Sequence, residues 1–212
     1  MIYDSFNRKL TEYLPEKAER ILDLGCGTGL LGEFLKKKYQ APVVGITYSA
    51  EEAEKSRSKM DEVFCADLNH FDFSKIGSFD LVICSHVLEH LTESKRVVQQ
   101  LQKIVSARGV LVVALPNVLY WKQRWEFLRG RFQYTECGLM DTTHVRFFDW
   151  STAQELLTQN GWKIEKAIAD GNLPLPIVRN LMPLGVSRWL DAKALSYAPG
   201  LFAGQFILKA TK

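Results

Sequence analysis

Ile21-Leu22-Asp23-Leu24-Gly25-Cys26-Gly27-Thr28-Gly29-Leu30-Leu31-Gly32 opens as a buried strand, breaks into a glycine-rich turn and continues as a helix. Glycines let a backbone take positive φ and approach a ligand closely. The helix start behind them offers unpaired N–H groups to an anionic or polar group. Three alternating glycines exceed what a plain strand-to-helix turn needs. Gly27-Thr-Gly-Leu-Leu-Gly32 also fits the dinucleotide pattern, which expects a carboxylate about 20 residues on, at the end of the second strand. Here that strand ends Gly45-Ile46-Thr47-Tyr48, with no acid. Asp23 instead sits inside the first strand, where a carboxylate is costly without a partner. A cationic ligand group would supply one, so the loop points away from a nicotinamide dinucleotide.

Outward from this loop, residues 20–24, 43–47, 63–66, 80–85 and 109–115 form short Val-, Ile- and Leu-rich runs. They do not alternate with polar residues, as expected of strands buried on both faces. Helical segments lie between them, at 30–39, at 49–58 behind a Ser49/Glu52 capping box, and at 92–107 with Gly109 as a stop. This alternation predicts an α/β fold, a Rossmann-like doubly wound sheet that is mostly parallel. Residues 151–160 read as a helix with a Ser151/Gln154 capping box. Residues 162–169 and 205–210 read as late strands that give the sheet an antiparallel edge. Four of the seven prolines fall in residues 170–202, where loops and short helices are expected.

The chain has 212 residues, 47% hydrophobic and 24% charged, which fits one domain over 1–212. Residues 117–150 hold nine of the 24 aromatics (12 Phe, 7 Tyr, 5 Trp), about twice their share, and read as a lid or substrate-binding insertion. No apolar run is long enough to suggest a membrane span, and residues 1–10 show no secretory leader. The four cysteines lack metal-ligand spacing, so reduced thiols, no metal site and a cytoplasmic location are expected. A net charge of +3 is too small to imply a nucleic-acid partner.

Asp23, Gly25, Gly27 and Gly29 match the first motif of the class I S-adenosylmethionine-dependent methyltransferases, and the chain resembles that family. Cys65-Ala66-Asp67-Leu68 resembles its third-strand motif, Phe79-Asp80-Leu81-Val82 its fourth strand, and Val87-Leu88-Glu89-His90-Leu91 the segment that follows. The resemblance implies S-adenosyl-L-methionine as cofactor. Asp23, Gly25, Cys26, Gly27 and Gly29 would hold its amino-acid end and Asp67 and Leu68 its adenine, with Ser85 at the end of the fourth strand also in the site. Thr47 departs from the pattern, since many members carry an acid there on the ribose. Thr47 or Tyr48 is expected to take that contact, so Thr47→Asp should be tolerated or tighten binding.

With residues 115–150 and the ending Ala198-Pro-Gly-Leu-Phe-Ala-Gly-Gln-Phe206, the chain resembles a bacterial branch of these enzymes. Many of its members lie among glycan and small-molecule biosynthesis enzymes, and it shares features with methyltransferase-like proteins of methionine biosynthesis. This implies methyl transfer to oxygen or nitrogen of a small molecule, with a sugar or glycan precursor as one candidate. The alternatives are a non-catalytic regulatory partner that keeps the fold, and an RNA methyltransferase. Lys122, Arg124, Arg129 and Arg131 against Glu126 make a basic stretch, read as a solvated helix face over packed Trp121, Trp125 and Leu128. His144 is the expected general base, with Asp141 orienting it and His90 second. Arg146 is expected to bind a substrate anion or hold the lid, and Asn117 and Arg124 to bind substrate.

Overall fold

The computed structural model describes residues 6–175 and 178–212. Residues 1–5 of the segment read as lacking a leader, and residues 176 and 177 of the proline-rich stretch, lie outside these. Strands β1 (Ile21–Leu24), β2 (Val43–Thr47), β3 (Glu62–Cys65), β4 (Phe79–Ser85) and β5 (Val105–Pro116) alternate with helices α1 (Leu30–Tyr39), α2 (Ala50–Ser56) and α3 (Ser94–Ile104). Beyond β5 come α4 (Trp121–Leu128), α5 (Trp150–Thr158), β6 (Lys163–Gly171), α6 (Leu184–Tyr197), α7 (Pro199–Phe202) and β7 (Ala203–Thr211). The seven strands make one sheet in the order β3-β2-β1-β4-β5-β7-β6. The pairings from β3 across to β5 are parallel, and those of β7 with β5 and β6 are antiparallel. The antiparallel edge is therefore present, with β7 one place in and β6 outermost.

Every residue of β1 and β2 is buried, because helices cover both sheet faces. One core packs Val97, Val98, Leu101 and Ile104 of α3 and Leu156 and Leu157 of α5 against the sheet. The other packs Leu31 and Leu35 of α1 with Leu10 on the opposite face. Strand order reverses between β1 and β4, which pair directly. In such sheets ligands bind at the carboxyl ends of the strands beside this reversal. Leu24 pairs with Ile46 and with Cys84, so the segments that leave β1, β2 and β4 emerge together.

Three local expectations are corrected. Helix α3 ends at Ile104, because Val105 turns extended and pairs with Phe79 of β4. Tertiary pairing of a β-branched residue overrides the helical period, and Gly109 falls inside β5. Helix α5 is capped by Asp149, whose carboxylate accepts from the N–H groups of Ser151 (3.0 Å) and Thr152 (2.8 Å). The charged acceptor wins over the Ser151 hydroxyl, and Gln154 binds the Trp150 carbonyl instead. Residues 184–197 form a 14-residue helix where only short ones were expected. Pro183 precedes its first turn, a position proline tolerates, so it begins a helix rather than breaking one.

Candidate active site

The first turn shows why its glycines are needed. Gly25 and Gly29 stand at φ 67° and 80°, in the left-handed region. A Cβ on Gly25 would meet Val87 Cγ2 at 2.2 Å, so the post-β4 segment packs directly on the loop backbone. The N–H groups of Gly25 and Cys26 both donate to the Ile46 carbonyl, tying the loop to β2. Asp23 is buried, and its Oδ2 has no hydrogen-bond partner. Burial pushes its carboxyl up from 3.8 to about 7.

These segments line a cleft of about 1570 Å³. That exceeds the roughly 300–1,000 Å³ of a single small-molecule site, leaving room for a cofactor and an acceptor. Its walls include Asp23, Gly25, Cys26 and Gly27 from the first turn, Thr47, Tyr48 and Glu52 from the β2–α2 corner, and Asp67 and Leu68 after β3. Ser85, His86, Glu89 and His90 follow β4, and Leu139, Asp141, Thr143 and His144 come from the insertion.

The polar groups are ordered by specific partners. Thr47 donates its hydroxyl to Glu52 Oε2 at 2.7 Å, and both residues are buried. Asp67 Oδ1 accepts from the Asn69 N–H (2.9 Å), and Oδ2 lies 2.9 Å from His70 Nδ1. The Asn69 N–H foremost, and His70 with it, holds the Asp67 carboxyl below its usual range. His86 stands at φ 55°, a strained position for a non-glycine residue, directly after β4. Its Nε2 lies 3.0 Å from Gln205 Oε1 and its Nδ1 3.3 Å from Glu89 Oε1. Burial opposes a charge on His86, but Glu89 and Gln205 outweigh it and raise the imidazole.

The insertion is fastened over the segment after β4. The N–H groups of Val145 and Arg146 donate to the Glu89 carbonyl at 2.9 and 3.0 Å. Thr143 Oγ1 lies 2.6 Å from Asp141 Oδ1 and 2.9 Å from His90 Nδ1. The carboxylate only accepts, so the single hydroxyl proton goes to Asp141. His90 Nδ1 must then carry the proton of that second contact. The Thr143 carbonyl, 3.3 Å from the same nitrogen, requires the same tautomer. His144 Nδ1 lies 3.0 Å from the Leu139 carbonyl and donates to it. With the Nδ1 proton committed in this way, the lone pair of a neutral ring is on Nε2. Burial works against a charged Asp141, but Thr143 outweighs it and keeps the carboxyl below its usual range.

A glycine turn behind a buried strand, an orphaned carboxylate beside it and a cleft at the strand reversal together narrow the comparison. The family described as a methyltransferase domain matches residues 3–167, well over half of the chain. The chain belongs to this methyltransferase family. Among curated relatives, O-methyltransferase cnsE of Penicillium expansum is 32% identical over 107 residues, covering 47% of this chain and 39% of that protein. The malonyl-[acyl-carrier protein] O-methyltransferase of Haemophilus influenzae is 25% identical over 183 residues, covering 84% of this chain and 66% of that one. The chain thus spans less than half the length of the first of these curated relatives. A SAM-dependent methyltransferase structure from Archaeoglobus fulgidus superposes with TM-score 0.66 at 20% identity, over 96% of this chain and 91% of that one. One from Mesorhizobium loti gives 0.65 at 18%, over 96% of each. These likenesses show the Rossmann-like methyltransferase fold.

Within this methyltransferase domain, the expected cofactor residues other than Gly29 line the cleft. Gly29 instead caps α1, its N–H on the Cys26 carbonyl. Two of the three expected substrate residues, Asn117 and Arg124, are held by backbone groups, and Arg146 takes the lid-holding alternative of its expected role. Asn117 is fully buried, donates to the Gly200 and Ala203 carbonyls at 2.9 and 2.7 Å, and accepts from the Leu119 N–H at 3.0 Å. Arg124 donates to the Leu201 carbonyl at 2.9 Å. Arg146 donates to the Leu91 and Thr92 carbonyls at 3.1 and 2.5 Å, which makes it a fastening of the insertion. Each side chain finds at least one backbone carbonyl distant in sequence that no local pattern shows, although Arg124 Nε is left buried without a hydrogen-bond partner. The face under α4 is also corrected, since Trp125 and Leu128 are exposed.

His144 takes its orientation from Leu139, and the Asp141 carboxylate reaches His90 through Thr143. Glu52 is the site residue that sequence reading missed. Its spacing from Ser49 reads as a capping box, and only half of that box forms, the Glu52 N–H on Ser49 Oγ at 3.3 Å. Its carboxylate turns instead to Thr47 and the cleft. The available signal was an acid one helical turn beyond an acid-free strand end.

Proposed function

We propose that this domain transfers a methyl group from S-adenosylmethionine to an oxygen or nitrogen of a small hydroxylated acceptor, with sugars and glycan precursors the class to test first. The observation that carries it is Asp23, buried with Oδ2 unpartnered at the edge of a cleft, beside a turn that admits no Cβ at Gly25. A buried carboxylate without a partner is costly, and a cationic ligand offsets the cost. The ammonium end of an amino-acid cofactor supplies such a cation, so the residues present fit the group. S-adenosylmethionine, when bound, brings an electrophilic methyl group on a sulfonium centre.

The chain's own residues do the rest. Asp23 and the loop amides hold the amino-acid end. Glu52 and Thr47, at the end of β2, accept from ribose hydroxyls, and Asp67 and Leu68 bound the adenine. Residues 117–150 cover the acceptor, exclude water and select it through polar groups. His90 and His144 present Nε2 lone pairs on that side, and either can take a hydroxyl proton. Positioning contributes on the order of 7–11 kcal/mol to such a displacement, and a general base about 10²–10⁴-fold. The O-methyltransferases among the relatives support an oxygen acceptor.

Calorimetric titration with S-adenosylmethionine tests the cofactor half. Asp23→Ala is expected to abolish binding in a folded chain, and unchanged affinity would remove Asp23 from the site. A radiolabelled-cofactor screen over hydroxylated metabolites and sugar nucleotides tests the acceptor half. Cofactor binding without transfer to any acceptor would favour the non-catalytic reading. Transfer to RNA with steep salt dependence would favour the nucleic-acid one.

A further inference from the structure

We infer that Glu89, His90 and His144 form a site for a divalent transition-metal ion on the acceptor side of the cleft. One donor atom from each of the three lies within 4.8 Å of the others. No hydrogen bond or ion pair joins Glu89 to either ring among the described residues, although Glu89 is fully buried and neither carboxylate oxygen has a hydrogen-bond partner. The nearest imidazole outside the cluster, His86 Nδ1, lies 3.3 Å from Oε1 alone. A buried carboxylate held apart from two imidazoles is an expensive arrangement unless something positive stands between them. Two donors sharing an ion at about 2.1 Å each are at most about 4.2 Å apart, and about 3.4 Å in a tetrahedral site. Side-chain rotations of about 1 Å therefore close this cluster on a metal.

The surroundings are those of ligands already oriented. A metal-binding histidine usually donates its other ring N–H to a carbonyl or a carboxylate-linked group, which fixes tautomer and ring plane. His144 does this to the Leu139 carbonyl, and His90 to Thr143, itself bound to Asp141. Both Nε2 lone pairs are thus left available. The Glu89 backbone carbonyl is held by the Val145 and Arg146 N–H groups, so ligands from the post-β4 turn and from the insertion are locked to each other. The two elements are far apart in sequence, and an ion between them would clamp the insertion closed. Two imidazoles and one carboxylate suit Zn²⁺, Mn²⁺, Fe²⁺ or Co²⁺ better than Mg²⁺ or Ca²⁺. Three protein ligands leave positions open toward the cleft, as in catalytic rather than structural sites. On the transferase reading, an ion there would replace a His90 or His144 base: its open positions would receive an acceptor hydroxyl, lower its pKa and let its proton leave to water.

The test uses the whole chain, stripped with chelator, and needs neither cofactor nor acceptor. Its failure is therefore separate from failure of the transferase reading. Co²⁺ serves as the spectroscopic probe and Zn²⁺ competes it off. About one equivalent of Co²⁺ should bind, with visible d–d bands of a low-coordinate nitrogen/oxygen site. Glu89→Gln and His144→Ala should each weaken binding at least tenfold while S-adenosylmethionine affinity and melting cooperativity are retained. Because Glu89 is fully buried, His90→Ala, at a half-buried position, provides the same test without its folding risk. His70→Ala, at the exposed pair with Asp67, should leave binding unchanged. Less than a fifth of an equivalent of Co²⁺, binding that survives all three cluster variants, or binding lost with His70 would each overturn the assignment.

Discussion

The Thr47 hydroxyl donates to Glu52 Oε2 at 2.7 Å, so the end of β2 borrows its carboxylate from the helix that follows. The acid missing from the strand is present in space, one helical turn later.

This reverses the expectation for Thr47→Asp. A second carboxylate would face Glu52 in a buried corner, and like charges there disfavour each other. Thr47→Asp is expected to lower both melting temperature and cofactor affinity. Glu52→Gln should weaken S-adenosylmethionine about tenfold with little change in melting. Calorimetry on the two variants checks this, and full affinity in Glu52→Gln would detach Glu52 from the cofactor.

Asp23 makes stability and binding depend on pH with opposite signs. Its carboxyl lies near 7 in the folded chain and near 3.8 when unperturbed. The folded state therefore binds more protons between these values, and stability falls as pH rises through that window, then levels off above 7. The full effect is at most about 4 kcal/mol, at about 1.36 kcal/mol per unit. Asp23→Asn should remove this slope and raise the melting temperature above pH 7. A cationic ligand needs the ionised form, so S-adenosylmethionine affinity should weaken as pH drops below 7. Melting and titration series from pH 5 to 8.5 check both, and a variant with the wild-type slope would refute the assignment.

Arg146 fastens the insertion rather than meeting the acceptor. Arg146→Ala loses hydrogen bonds to the Leu91 and Thr92 carbonyls and should cost about 1–3 kcal/mol. Turnover should fall in step with that loss and recover on cooling. A large turnover defect with unchanged melting would return Arg146 to the substrate.

The Asp141–Thr143–His90 chain fixes a tautomer. Thr143→Val removes the hydroxyl and should lower turnover about tenfold, while cofactor affinity stays within about threefold, under roughly 0.7 kcal/mol. Thr143→Ser, which restores the hydroxyl, should recover most of the rate. Equal loss in both variants would mean that the effect is packing.

What the sequence determined by itself is what local chemistry encodes. Buried strands appear as unbroken apolar runs, and helices as 3.6-residue stripes. The glycine turn is legible because no other residue accepts φ 67° at Gly25 against Val87. Asp23 is legible because a carboxylate inside an apolar strand demands a partner. What tertiary structure decided are the partners themselves. Asn117 and Arg124 look like binding residues, and Arg146 like a binding or a lid-holding one, until the backbone carbonyls of residues 200, 203, 201, 91 and 92 come beside them. Glu52 looks like a cap until Thr47 draws it into the cleft. Glu89 and His90 meet His144 because the insertion is tied to the post-β4 segment, by its N–H groups on the Glu89 carbonyl, by Thr143 on His90 and by Arg146 on the Leu91 and Thr92 carbonyls. Backbone conformation follows from neighbours along the chain, whereas a polar side chain binds whichever partner the fold brings within about 3 Å.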